Sequence, residues 1–158
     1  MAAITDASVA DRGVVFRRLR RFLAAHEAAE EVFLHPSAAS VLDDADVAAQ
    51  RLHEEDEAGR TLAMLEGIDF DSTEFDRVFG ELRTSVRRHA RAEELRELPE
   101  VIARCTTTDI ERIRQALDHV DLIVSRRHGP LGEDHQTFEE MLEAARAEFR
   151  TLRSDLMV

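Results

Sequence analysis

The chain has 158 residues, with 33 acidic and 21 basic side chains and a formal net charge of −12. This length predicts a single domain over residues 1–158 with a sizeable core. The negative charge disfavours nucleic acid and anionic membranes as partners, because both are negatively charged themselves. Cys105 is the only cysteine, which excludes an intrachain disulfide, and no long apolar run occurs. We therefore expect a soluble, cytoplasmic protein.

The first predicted helix runs over about residues 8–35 and ends before Pro36. Its apolar residues recur at steps of three and four, the spacing of one helix face. Two polar residues, His26 and Glu30, continue that stripe in phase. The pattern therefore predicts that His26 and Glu30 face the core.

The second predicted helix begins near Asp43 or Asp44, either of which can cap it, and ends near Gly67. His53 lies at the edge of its apolar face, and Glu57 lies further round. This helix has the least regular pattern of the five.

The third predicted helix follows the cap region at 71–74 and ends at Pro99. Its apolar stripe again continues in phase through a histidine and a glutamate, His89 and Glu93. These two residues are expected on the buried face.

The fourth predicted helix begins at a capping box, Thr108 to Glu111, and a loop follows it at 125–132. The fifth runs over about 133–156, with His135 on the same stripe as Phe138. Sustained strand patterns are missing. The expected fold is an all-α, antiparallel bundle of four helices plus an additional helix, with a motif-bearing core at 14–99 and C-terminal helices at 108–157.

The pattern His-x-x-x-Glu occurs twice, at 26–30 and 89–93. Residues four apart lie one helical turn apart on the same face, so each pair can direct an imidazole and a carboxylate at one metal region. In an up-down bundle both pairs and His53 lie in one slice. Imidazole with carboxylate suits iron, manganese or zinc, and two such pairs suit two ions. The alternative is that each pair is a buried salt bridge.

The remaining polar residues are interpreted without a metal. His35 adjoins the proline at the helix end, His119 faces away from its helix stripe, and His128 lies in a loop. Glu31 and Glu94 are expected in solvent or behind the ligands. Cys105 is expected to pack and not to react.

The two motifs, His26-x-x-x-Glu30 with Pro36 and His89-x-x-x-Glu93 with Pro99, resemble the paired motifs of the haemerythrin-like, or HHE cation-binding, domains. The run beginning at His53 lies between them, where that family has a further histidine. The resemblance covers about residues 14–99. It implies an antiparallel four-helix bundle around a non-haem di-iron site.

The resemblance also implies a ligand set. The iron ligands would be His26, Glu30, His53, His89 and Glu93. The two glutamates from the paired motifs would bridge the ions. Glu57 lies where family members carry another ligand.

The family begins with a further helix that carries an Asp-His pair. Here only 25 residues precede His26, so that helix is expected to be missing or replaced. Asp134-His135 resembles the Asp-His pair, which makes His135 a candidate ligand. If the fourth helix is an ordinary antiparallel member, however, the fifth begins at the end of the bundle away from the site. A second chain exchanging a helix is another solution, so a monomer or a homodimer is expected.

The expected function is a di-iron protein that handles O₂, peroxide, NO or iron itself, with zinc or manganese as other possible metals. A peroxide-consuming activity would make it an enzyme. The sequence contains no Tyr or Trp that could carry a radical, which disfavours radical oxidase mechanisms. The alternatives are an iron- or redox-dependent sensor or interaction module, and a metal-free bundle.

Overall fold

The structure is a computed structural model that describes residues 9–42, 46–125 and 136–157. All regular elements in these ranges are helical. They are α1 (Val9–Ala29), a π-helical turn (Glu30–Leu34), α2 (His35–Val41), α3 (Asp46–Glu66), α4 (Thr73–Ala92), a second π-helical turn (Glu93–Glu97), α5 (Leu98–Arg104), α6 (Thr107–Ser125) and α7 (Phe138–Asp155). The π-helical turns join their flanking helices, so five long helices result: 9–41, α3, 73–104, α6 and α7.

Contacts along the helices show that successive long helices run in opposite directions. Between the first long helix and α3, Arg20 pairs with Glu66 whereas His35 pairs with Glu55. Between α6 and α7, Arg112 donates to the carbonyl of Leu156 and His119 contacts Glu148. The expected all-α helical bundle is confirmed.

The two prolines do not end their helices, and the prediction that they would is wrong. Each lies two residues after the end of a π-helical turn, in which a backbone N–H bonds to the carbonyl five residues before it. His35 N–H donates to the carbonyl of Glu30, and Leu98 N–H donates to that of Glu93. An ordinary α-helix would place the proline ring against the carbonyl four residues earlier. The wider turn removes that clash and lets both helices continue.

A side chain compensates for the hydrogen bond that Pro36 cannot make. The carbonyl four residues before it belongs to Val32, and Arg153 from α7 donates to that oxygen at 2.7 Å. The helix therefore passes the proline without leaving this carbonyl unpaired.

The helix starts agree in part with the predicted caps. The Ser72 hydroxyl accepts from the Phe75 N–H at the start of α4, as expected. The capping box predicted at Thr108 is wrong, because the Thr106 hydroxyl accepts from the Asp109 N–H and the helix begins at Thr107. In the described part of α7 the capping box is Thr137 with Glu140. The predicted caps Asp43 and Asp44 lie outside the described residues.

The apolar core lies on both sides of α1. On one side an aromatic group packs against α4, with Phe75 in contact with Phe16 and Phe70 at ring centroid distances of 5.7 and 5.1 Å. On the other side Phe33 meets Phe149 of α7 edge to face. None of the described helices is both long and apolar enough to span a bilayer.

We expect Phe75→Ala to destabilise the fold by about 3–5 kcal/mol, because Phe75 is 0 % exposed and its removal leaves a cavity among three other rings. The free energy of unfolding in urea measures the effect. Leu95→Ala is the control, since Leu95 is 64 % exposed and should change stability little. Equal stability of the two variants would contradict the conclusion that the packing of Phe75 stabilises the core.

Candidate metal centre

Three of the long helices bring buried acidic residues and histidines together. The first contributes Glu30 and His35, α3 contributes Glu55, and the third contributes His89, Glu93 and Glu97. Among these, Glu97 is 0 % exposed and His35 is 3 % exposed. Groups of this kind are rarely buried without a partner, so each needs an explanation.

The cluster contains two sets of donors, each close enough to hold one metal ion. In the first set, ligand atoms of Glu30, Glu55, His89 and Glu93 all lie within 4.8 Å of one another. In the second, ligand atoms of His35, Glu93 and Glu97 meet the same limit. Glu93 belongs to both sets. Its carboxylate therefore lies where it can bridge two ions.

The first π-helical turn explains why His35 faces the cluster. In an α-helix the residue four positions after Glu30 would lie above it, and that residue is Leu34. The wider turn places the fifth residue there instead, which is His35. Leu34 remains buried in the apolar core. The turn thus adds a donor without removing an apolar side chain from the core.

The histidines contact the carboxylates directly. His35 Nε2 lies 2.6 Å from Glu55 Oε1. His89 Nε2 lies 3.2 Å from Glu93 Oε1 and 3.6 Å from Glu55 Oε1. His26, at the edge of the cluster, has its Nε2 3.2 Å from Glu30 Oε1.

One buried cation supports the cluster. Arg51 of α3 is 2 % exposed and pairs with Glu54. Its Nε lies 3.0 Å from Glu97 Oε1, although without hydrogen-bond geometry. Glu54 in turn lies 3.2 Å from His89 Nδ1. Arg51 and Glu54 therefore orient two of the candidate ligands.

The donor atoms fit a metal because several of them lack a hydrogen-bond partner. Within the described residues, Glu30 Oε2, Glu55 Oε2, Glu93 Oε1 and both oxygens of Glu97 are buried and accept no hydrogen bond. His35 Nδ1 is in the same state. Buried polar atoms without partners are costly. Oxygen and imidazole nitrogen donors facing one space are what iron, manganese or zinc requires.

Burial and repulsion shift the pKa values in the metal-free cluster. Burial, followed by the charges of Glu93 and Glu55, raises the pKa of Glu30 well above its usual value. Burial likewise raises the pKa of Glu55. His35 behaves differently: burial opposes its charged form, but its hydrogen bond to Glu55 and the nearby carboxylates of Glu97 and Glu30 raise its pKa to about 10. Protons thus offset part of the buried negative charge, and a metal ion would displace them.

Four of the predicted ligands lie in or beside the cluster: His26, Glu30, His89 and Glu93. His26 is only partly buried, with 34 % of its side chain exposed. His135 lies outside the described residues, as does His128.

The structure corrects the placement of His53 and Glu57. Their side chains are 66 % and 52 % exposed, and neither joins the cluster. The buried face of α3 instead comprises Arg51, Glu54, Glu55, Ala58, Leu62 and Leu65. The rotation of α3 is fixed by its buried apolar residues Ala58, Leu62 and Leu65. In this rotation His53 and Glu57 point toward solvent.

The structure also corrects the interpretation of His35, which was excluded because a proline follows it. Glu54, Glu55 and Glu97 were not singled out at all. Glu97 lies four residues after Glu93, the same spacing that separates His89 from Glu93. This spacing indicates that Glu97 lies on the same helix face as the two motif residues. For Glu55, extending the phase of Leu62 and Leu65 backward along α3 would have indicated the buried side.

Comparison with known proteins agrees with this geometry. The sequence profile described as the Hemerythrin HHE cation binding domain matches residues 2–101. Searches of curated proteins and of solved structures found no match. The chain belongs to the hemerythrin HHE cation-binding family, and its buried groups of histidine and glutamate could hold a metal.

Metal-free protein should lose stability as the pH rises from 6.5 to about 10. The pKa of His35 is higher in the folded chain than in the unfolded chain. Its contribution is therefore fully present below the unfolded value and is lost as the pH passes the folded value. The raised pKa values of Glu30 and Glu55 act in the same direction, because burial disfavours their ionised forms.

The measurement is the free energy of unfolding of chelator-treated protein across that pH range. His35→Gln should flatten the dependence, whereas His53→Gln, on the exposed face of α3, should keep it. A wild-type profile that rises with pH would contradict the assignment.

Proposed function

We propose that the chain is a di-iron protein that reacts with O₂, peroxide or NO, or that handles iron itself. The observation that carries this proposal is the pair of donor sets that share Glu93. A carboxylate shared by two donor sets is suited to bridging two ions close together.

The charge of the cluster supports two ions. Glu30, Glu54, Glu55, Glu93 and Glu97 are buried with a single guanidinium, that of Arg51. When ionised, these five carboxylates and the guanidinium leave four negative charges. Glu27 beside them adds a fifth. One divalent cation would leave most of this buried charge unbalanced, so the cluster favours two.

Each residue then has a role. Glu30, Glu55 and His89 would hold one ion, His35 and Glu97 the other, and Glu93 both. His26 would complete the first set from its edge, because it already contacts Glu30. Arg51 has no lone pair to offer a metal, and its role would be to hold Glu97 in place. Glu54 would hold His89 in place.

Iron held by imidazole and carboxylate supplies Lewis acidity and an electron source or sink for small oxygen and nitrogen species. The chain controls which molecules reach it. A cavity of about 40 Å³ lies between α1, α3 and α4, beside His26 and His89. Leu23, Ala58 and Val86 form apolar parts of its wall. This volume admits one or a few molecules of the size of water and excludes larger organic substrates.

The donor set favours peroxide or iron chemistry over reversible oxygen carriage. Within the two donor sets, carboxylates outnumber imidazoles, and anionic ligands stabilise the more highly charged state of a metal. That preference works against release of O₂ from a reduced pair. The chain also contains no Tyr or Trp, so neither side chain would be available to donate an electron to an oxidised iron pair.

We expect protein purified from iron-replete cells to contain two irons per chain by elemental analysis. Consumption of peroxide by the iron-loaded protein would favour reactive chemistry. Two bound irons without such consumption would favour the alternative of an iron-dependent sensor. Absence of iron and other transition metals would overturn the proposal and support a metal-free bundle.

A matched pair on α3 tests the ligand set directly. Glu55→Ala should reduce iron content by at least one ion per chain, because it removes a buried donor and leaves His35 without its closest partner. Glu57→Ala, two residues away and exposed, should keep the wild-type content. The reverse result, with iron lost only from Glu57→Ala, would show that α3 binds metal through its other face.

A further inference from the structure

A second cavity, of about 570 Å³, lies between the first long helix, α3 and α7. We call it the acidic cleft. Its rim includes His53, Asp56 and Glu139, and its floor includes Glu27 and Glu55. Both floor residues are 5 % exposed.

The floor of the acidic cleft is also the wall of the metal centre. Glu27 and Glu55 line both the cleft and the small cavity beside His89. Glu55 is in addition one of the candidate ligands. The cleft and the cluster therefore share these two carboxylates.

The arginines of the cleft form their ion pairs with carboxylates other than those of the floor. Arg146 forms a two-point pair with Glu31 at 2.5 and 2.6 Å. Arg60 pairs with Asp56 at 2.8 Å. Both guanidinium groups are thus engaged by other carboxylates. At the floor, Glu55 Oε2 is buried and accepts no hydrogen bond within the described residues.

Glu27 has no structural explanation in the packing of the helices. It is buried, and among the described residues no hydrogen bond or ion pair holds it. Its counterpart in the second copy of the motif is Ala90, 63 residues later. The bundle can therefore be built with alanine at this position, whereas Glu27 costs desolvation energy.

We infer that the acidic cleft is the path by which divalent cations reach the metal centre, with Glu27 as the transfer ligand between the cleft and Glu55. This inference rests on the proposed metal centre. The carboxylates that line the cleft outnumber its two arginines, and the resulting negative charge attracts cations to the mouth. Glu27 offers an oxygen donor at the point where an ion leaves water, and Glu55 offers the next one inside the cluster.

The test is the rate of metal uptake by the metal-free full-length chain, with Co²⁺ as the probe and its visible absorption followed by stopped flow. Glu27→Gln keeps the shape of the side chain and should slow uptake by roughly tenfold, the low end of what a charged cleft contributes to association. The final stoichiometry and spectrum should not change. Glu94→Gln, exposed on the third long helix, is the matched control and should load at the wild-type rate.

A second variant avoids the buried position. Ala63 is exposed and lines the acidic cleft, so Ala63→Arg adds a positive charge there without disturbing the core. It should also slow uptake while leaving the stoichiometry intact. Wild-type rates in both Glu27→Gln and Ala63→Arg would overturn the path, and a lower final stoichiometry in Glu27→Gln would show a permanent ligand instead. If wild-type protein binds no Co²⁺ at equilibrium, the proposal of the metal centre itself is wrong.

Discussion

The bundle is organised around carboxylates that are held close together away from water. Removing one ionised carboxylate from water costs several kcal/mol even after the protein relaxes, and neighbouring like charges add to that cost. In the metal-free chain, burial raises the pKa values of Glu30 and Glu55, which favours their neutral forms, and the positive charges of Arg51 and His35 offset part of the cost. The surrounding helices must therefore be packed tightly enough to hold an arrangement that is unfavourable by itself.

The two π-helical turns show how local backbone geometry serves this arrangement. Each begins at the glutamate of a His-x-x-x-Glu motif and is followed by a proline. The proline disfavours a regular α-helix, and the wider turn relieves it. In the first long helix the change of phase brings His35 inward. In the third, Glu97 lies within the turn itself and is fully buried. Similar sequences thus contribute different donors, which makes the two halves of the centre chemically unequal.

The last helix covers the cluster and does not complete it within the described residues. The described part of α7 begins at Phe138, next to Glu66 at the end of α3. It passes the cluster about two turns later, where Arg146 pairs with Glu31. The residues that α7 buries there are apolar, including Met141 and Ala145. Its course leaves the acidic cleft between itself and α3, so the same packing that closes the core also defines a polar approach to it.

Helix content, the family and the burial of Glu30 and Glu93 could be predicted from the sequence, because an apolar stripe at helical spacing is a local property that continues through both residues. The participation of Glu55 could not, since α3 carries polar residues on several faces in its first half and its rotation is fixed only by packing against neighbouring helices. His35 was missed for a different reason. A proline in the sequence disfavours a regular helix, but only the tertiary structure decides whether the chain stops or widens by one residue, because the carbonyl that Pro36 leaves unpaired is satisfied by Arg153 from the other end of the chain.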